Sequence, residues 1–344
     1  MGLLLLLSFF LYTFGLFNLL GINSVFFKQQ IIFGVIGFGV YLIMKKMGLH
    51  FFRLNARFFY ILFVVILILT FLIGLEVKGS RRWINLVIFN FQASEFFKFF
   101  FIIFLADFFT VNRKFLNDIN ILIKSLIYFS LPALIIFKQP DLGNTIVYFM
   151  IFLSMAFFSG IPKKNIAKII SIAILIIPLF WFFLKDYQKA RILSFLNPHF
   201  DTSGSTYNMI QAIITVGSGQ FFGRGLGAGT QSGLSFLPEN HTDFAFSSLV
   251  EQFGFVGGTV TILLYFAVAY VLIKKITKWY YERNENARFN FLFLIGFFSF
   301  LTVQIFINIG MNLGIMPITG ITLPFISYGG SSLITLMIGL ALIP

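Results

Sequence analysis

Asp243 is the residue best placed to do chemistry. It ends the stretch Leu237-Pro238-Glu239-Asn240-His241-Thr242 and opens a long apolar run, with Ser247 and Glu251 four and eight residues on, along one helical face. An acid at a helix start is an ordinary cap, and Thr242 could cap equally well. A carboxylate at a membrane interface can also work as a general base, because partial desolvation raises its proton affinity. A second acid, Glu95, stands three residues before Lys98 inside another apolar run, with Asp107 further along. The i, i+3 spacing pairs Glu95 with Lys98 on one face. That pair either orients its helix or faces a substrate. Asp107 reads as an acid near the helix end that reaches for the interface.

Other polar groups interrupt apolar sequence. Gln304, Asn308 and Asn312 recur every fourth residue, a stripe that glues helices together or lines a wet cavity. Asp141 sits in Lys138-Gln139-Pro140-Asp141-Leu142-Gly143, a shaped turn in which it either caps the next helix or serves the site. The Gly-rich stretch from Gly217 to Gln231 has no Gly-Lys-Ser/Thr ending and so is not a Walker loop. Its amides beside Arg224 offer a phosphate cradle, or it is a flexible loop. Leu323-Pro324-Phe325-Ile326-Ser327-Tyr328-Gly329-Gly330-Ser331-Ser332 breaks the mouth of the last apolar run, which is tolerated where backbone is covered or lines a cavity.

These groups need a membrane to make sense. Of 344 residues 58% are hydrophobic and 11% charged, and mean hydropathy is +0.94. Soluble domains carry roughly 25% charged residues. The fold class expected is all-α, a polytopic integral membrane protein with about ten transmembrane helices, since spanning takes about 20 apolar residues. The runs lie near 2–20, 30–47, 57–75, 94–112, 119–137, 142–160, 165–184, 244–273, 289–313 and 322–344. The first has no basic leader or small-residue cleavage site and reads as a retained helix. The 52 Phe read mostly as lipid-facing bulk, and with no cysteine, disulfides and thiolate metal sites are excluded. The net charge of +13 does not point to nucleic acid, because the basic residues cluster between the apolar runs. With a cytoplasmic N-terminus, fourteen of them fall inside and nine outside, which favours cytoplasmic N- and C-termini. Residues 185–242 then form one large extracytoplasmic loop within a single membrane domain, 1–344.

Taken in order, several segments closely resemble the RodA/FtsW (SEDS) family of bacterial cell-wall polymerases. They are Gly79-Ser80-Arg81-Arg82-Trp83-Ile84, Ser94-Glu95-x-x-Lys98, Gln139-Pro140-Asp141-Leu142-Gly143 and Phe195-Leu196-Asn197-Pro198, then the Gly217–Gln231 stretch, Leu237 to Phe244, and Met316-Pro317-Ile318-Thr319-Gly320 through Ser332. The resemblance covers nearly the whole chain. Gly229-Thr230-Gln231 followed by Phe236-Leu237-Pro238-Glu239 is more similar to the RodA, or elongation, branch. Departures from the family pattern are Ala93 for a usual Pro, Gln252 for the second acid of a usual pair, and Arg224 for a usual Lys.

The resemblance implies a peptidoglycan glycosyltransferase in the bacterial cytoplasmic membrane. It would polymerise lipid II by inverting transfer, with undecaprenyl pyrophosphate leaving. Asp243 matches the family's essential Asp and is the expected general base. Glu95 and Lys98 match the fourth-span pair of the same outer cavity. Lys98, Arg82 and Arg224 are candidates for the pyrophosphate charge. Gln139, Asp141, Gln231 and Ser327 are candidates for shaping the cavity or binding sugar. Transmembrane Phe surfaces, including the Phe near Glu95, could form a groove for the prenyl chains or face plain lipid. No cofactor is identified and no metal-ligand cluster is visible, although a divalent cation could bridge Asp243 or the pyrophosphate. The expected partners are lipid II, membrane lipids and a separate class B penicillin-binding protein, because this chain carries no transpeptidase domain. A precursor transporter, a non-catalytic scaffold and an FtsW-like division polymerase are the alternatives.

Overall fold

The computed structural model describes residues 2–77, 80–85, 89–197, 204–234, 236–282 and 284–344. Lys78, Gly79, Pro198 and Arg283, which enter the charge count or the motifs above, lie outside them. Helices fall on all ten apolar runs: α1 (Gly2–Ile22), α2 (Ser24–Leu54), α3 (Ala56–Ile73), α4 (Ala93–Val111), α5 (Ile119–Lys138), α6 (Leu142–Ser159), α7 (Lys163–Phe183), α11 (Ala245–Tyr281), α12 (Glu285–Asn312) and α13 (Gly330–Leu342). Among the described residues seven of them, α1, α2, α3, α5, α6, α11 and α12, are long and apolar enough to cross a membrane. The 13 residues of α13 rise about 20 Å, against a hydrocarbon core of about 30 Å. Three further helices, α8 (Asp186–Leu196), α9 (Ser205–Ser218) and α10 (Thr230–Gly233), occupy the segment read from sequence as a loop.

The all-α expectation gains one addition. Leu75–Val77 (β1), Ser80–Asn85 (β2) and Asn90–Gln92 (β3) form a three-stranded antiparallel sheet in the order β1-β2-β3, with Trp83 opposite Leu75 and Gln92. It delivers the chain straight into α4.

Two glycines break long helices. Gly48 in α2 and Gly254 in α11 have φ of 75° and 70°, a region that favours glycine because it lacks a Cβ. At Gly254 the need is also steric. A Cβ there would stand 2.3 Å from Gly223 N and 2.4 Å from Phe221 O. Asp118 and Asp141 cap α5 and α6, their side chains accepting from Asn120 N and Asn144 N.

The chain forms two compact units, each assembled from separated stretches. One comprises Met1–Tyr41, Asp186–Val271 and Thr302–Leu340; the other comprises Leu42–Lys185, Leu272–Leu301 and Ala341–Pro344.

In the second unit α4 is buried on nearly every side, including Phe96, Phe97, Phe99, Phe100, Phe101 and Phe104. A helix apolar all round belongs in an interior. Phe63 stacks on Phe100 at 4.4 Å and Tyr60 on Phe104 at 4.3 Å between ring centroids. The Phe near Glu95 are therefore core, which corrects both readings of them, as lipid groove and as lipid-facing bulk. Asp107 lies four residues before the end of α4, near the end of that helix as its sequence reading has it, and there it meets a cation from the last turn of α2. Arg53 Nε binds its Oδ1 at 3.0 Å, and the same guanidinium reaches Asn286 and Glu285 and lies over Phe289.

Candidate active site

In the second unit, three of the residues singled out from sequence, Arg82, Gln139 and Asp141, join one network, which ends at Ser94 beside Glu95. Asp141 is the hub. Its Oδ1 accepts from Asn144 N at 3.2 Å and its Oδ2 from Asn144 Nδ2 at 2.8 Å and Gln92 Nε2 at 3.3 Å. Arg82, on β2, stands 3.9 Å from Asp141 and donates to the carbonyls of Gln139 and Pro140. Pro140 itself sits at a φ of 27°, so this turn needs outside fastening. Gln139 Nε2 fastens it from the other side, donating to Leu67 O at 3.0 Å. Asn144 Nδ2 and Tyr148 OH then reach Ser94 Oγ and Ser94 O, immediately before Glu95.

Lys98 Nζ donates to Glu95 Oε1 at 2.6 Å and lies 5.1 Å from the centre of the Phe300 ring. The Lys98 side chain is 0% exposed and that of Glu95 8%. Glu95 Oε2 has no hydrogen-bond partner in the structure. Removing either partner of two opposite charges this deeply buried strands the other.

In the first unit the backbone around Asp243 is held from three directions. Asn308 Nδ2 and Asn312 Nδ2, on α12, donate to Asp243 O at 3.0 and 3.1 Å. Asn312 Oδ1 accepts from Ser247 N and Ser247 Oγ at 2.9 and 2.7 Å, fixing the first turn of α11. Asn308 also donates to Ile321 O at 2.7 Å. Ser327 Oγ donates to Thr242 O at 2.6 Å and accepts from Leu323 N, while Tyr328 N donates to His241 O. Asn308 and Asn312 are thus the glue of the polar stripe. Gln304, the first residue of that stripe, is buried with neither amide atom partnered. The Asp243 side chain is half-buried, at a point where the main chain has been immobilised around it.

The Gly-rich stretch is neither a flexible loop nor an open cradle. Its amides point into the protein. Arg224 N and Gly225 N donate to the carbonyls of Glu251 and Gln252, and Gly227 N donates to Gln252 Oε1. Gln231 N and Ser232 N donate to the Glu251 carboxylate at 2.8 and 2.9 Å. Close approach explains the glycines: a Cβ at Gly219 or Gly223 would stand 2.1 Å from a carbonyl oxygen of α11. Arg224 is exposed, with Nε donating to Ser218 O. Gln231 reaches the site's framework through its main chain, and its Oε1 is buried without a partner. Glu251, noted in the sequence only for sharing a face with Asp243, proves to be the acid that organises this stretch. The i+8 spacing carried that signal. Gln252, where the family pattern has an acid, binds Asn18 through Nε2.

Among the described residues no group of three or more His, Asp or Glu is placed to hold a metal ion.

Comparisons with known proteins bear on what this arrangement does. The family model described as cell cycle protein, FtsW/RodA/SpoVE, matches residues 1–344. The chain is 37% identical over 293 residues to the peptidoglycan glycosyltransferase MrdB of Escherichia coli strain K12, covering 84% of this chain and 76% of that protein. It is 34% identical over 303 residues to a probable peptidoglycan glycosyltransferase FtsW of Hydrogenovibrio crunogenus, covering 88% and 76%. Among solved structures, a chain of a peptidoglycan synthase complex that coordinates polymerization and crosslinking superimposes with a TM-score of 0.82 at 26% identity, over 99% of this chain and 95% of that one. A multi-pass helical protein matched from end to end by one family model belongs to that family, and this chain is a member of the FtsW/RodA/SpoVE family.

Proposed function

We propose that this chain is a peptidoglycan glycosyltransferase that polymerises lipid II, with Asp243 as the general base. The oxygen of the acceptor's 4-hydroxyl bonds to the anomeric carbon of the donor sugar. The bond from that carbon to the pyrophosphate oxygen breaks with inversion, and the hydroxyl proton passes to the Asp243 carboxylate. The observation that carries this reading is how Asp243 is held. Asn308 and Asn312 grip it by its main-chain carbonyl, so the two amides orient the residue through its backbone. Immobile backbone beneath a half-buried acid is what pre-organised proton transfer requires.

The buried Glu95–Lys98 pair supports a second contact. A buried carboxylate oxygen without a donor is uncommon in folded proteins, and Glu95 Oε2 is one; a substrate hydroxyl or amide would satisfy it. Arg82, Gln139 and Asp141 brace the turn that Asn144 and Tyr148 link to Ser94, next to Glu95. Residues 185–242 belong to the extracytoplasmic side, both termini to the cytoplasmic side of a bacterial inner membrane. The partner is a class B penicillin-binding protein, as the likeness to a synthase-complex chain suggests. The elongation role is favoured by the Gly229-Thr230-Gln231 wording, although relatives named for both branches match.

The test is lipid II polymerisation by the purified protein with its cognate transpeptidase, chosen to lack glycosyltransferase activity, comparing wild type with Asp243→Asn. Glycan strands from wild type and none from a folded variant support the assignment. Equal strands from both would make Asp243 a cap. Lipid II crossing vesicle membranes with no strands from either would replace the polymerase by a transporter.

A further inference from the structure

Gly320 lies between α12 and α13 with a φ of 75°, and two charged side chains converge on it. The position that a Cβ would take there is 3.6 Å from Asp243 Oδ2 and 3.8 Å from Arg191 Nη1. Carboxylate and guanidinium thus face one slot whose floor is a glycine. Arg191 belongs to α8, and a specific packing contact delivers it. Phe195, one turn further on, packs against the cluster of Met209, Ala212, Leu237, Phe244, Met311 and Ile318. Phe244 is the next residue after Asp243. Residues four apart share a helical face, so the contact that docks Phe195 also aims Arg191 at the acid. The Tyr187 ring lies 5.6 Å from the guanidinium carbon, one turn before it.

We propose that Arg191 is a positioning residue for the general base, holding Asp243 ionised and aimed at the acceptor hydroxyl. This rests on the reading of Asp243 as that base. The location of Arg191 argues against service to the leaving group. In an inverting transfer the base and the departing pyrophosphate lie on opposite faces of the sugar, with the acceptor oxygen and the anomeric carbon between them. A cation that shares the slot of the base stands on the acceptor side. Among the described residues, the elements around Asp243 carry these other titratable and polar groups. On its own segment, the Glu239 carboxylate accepts from Thr242 Oγ1 at 2.8 Å and the His241 ring stacks on Phe26. From α12 come Asn308 and Asn312, which are uncharged. The segment 313–329 has Tyr328 as its one ionisable side chain, bonded to Gln29. On α8, Lys189 is two residues back, a spacing that does not share the Arg191 face.

The experiment uses the protein with its cognate transpeptidase and compares wild type, Arg191→Gln and Arg191→Lys. Polymerisation is followed across pH, and the protonated-carboxyl band of Asp243 is titrated by infrared difference against Asp243→Asn. A nearby opposite charge lowers a carboxylate pKa by about 1–3 units. Loss of that charge therefore moves the acidic limb of the rate profile and the infrared titration upward by about 1 pH unit or more, and Arg191→Lys restores most of the shift. An unmoved limb with a raised KM for lipid II would overturn the proposal in favour of a substrate contact. Equal losses in Gln and Lys with an unmoved limb would overturn it in favour of a structural role. If Asp243→Asn polymerises as well as wild type, the base assignment fails; the infrared titration then reports on the Arg191 charge by itself.

Discussion

The acids of the two units are held in opposite ways. Asp141 and Glu95 are gripped by their carboxylates: Asn144, Gln92 and Arg82 surround one, and Lys98 closes on the other. Asn308 and Asn312 hold Asp243 by its main-chain carbonyl, and its Oδ2 lies 3.6 Å from the position a Cβ would take on Gly320. A carboxylate with donors on both oxygens, as Asp141 has, is a strut, whereas Glu95 is held through Oε1 alone. An acid clamped through its main chain is positioned by a route that does not depend on its own charge. Ionisable residues in apolar sequence are therefore not one class, and the atom that is gripped separates them.

Four substitutions test that contrast, in order of expected effect. Asp243→Asn should lower the polymerisation rate by about 10²–10⁴-fold, the usual contribution of a general base, with little change in thermal unfolding; a large drop in unfolding temperature would mark it as a strut. Lys98→Met should act on stability as well as on rate. It strands the Glu95 charge and should destabilise the protein by about 3–5 kcal/mol, read by unfolding in detergent. The double variant Glu95→Gln/Lys98→Met should recover most of that loss, and failure to recover would mean that the pair is not self-compensating. Asn312→Ala releases the Asp243 carbonyl and the first turn of α11 together, for about 1–3 kcal/mol of stability. It should also reduce rate, since the backbone beneath the base loosens; an unchanged rate would show that the clamp is irrelevant to chemistry. Arg224→Gln should be nearly silent in stability, below about 1 kcal/mol, because the side chain is exposed. A strong effect on lipid II affinity would return Arg224 to the substrate.

Much of this was legible beforehand. The ten apolar runs became ten helices, since spanning segments must satisfy their backbone internally and their composition shows it. The Glu95–Lys98 pair followed from spacing alone. Asn308 and Asn312 were identified as a stripe because residues four apart must share a face. The sheet from Leu75 to Gln92 was missed, its strands being too short to impose a period. The burial of the α4 Phe was missed for another reason: a helix apolar all round looks the same whether lipid or protein surrounds it.

By itself, then, the sequence determined that the chain is a helical membrane protein of this family, and which ionisable residues stand out against an apolar background. Those properties are local: composition, period and ordered motifs. Tertiary structure alone decided what each polar group touches. It turned the Gly-rich amides inward onto Glu251 and Gln252 and tied Arg82 to the turn at Pro140. It also brought Arg191, 52 residues before Asp243 in the chain, to the same glycine as the acid. Hydrogen bonds and ion pairs act over a few ångströms of space, and separation along the chain does not encode that distance.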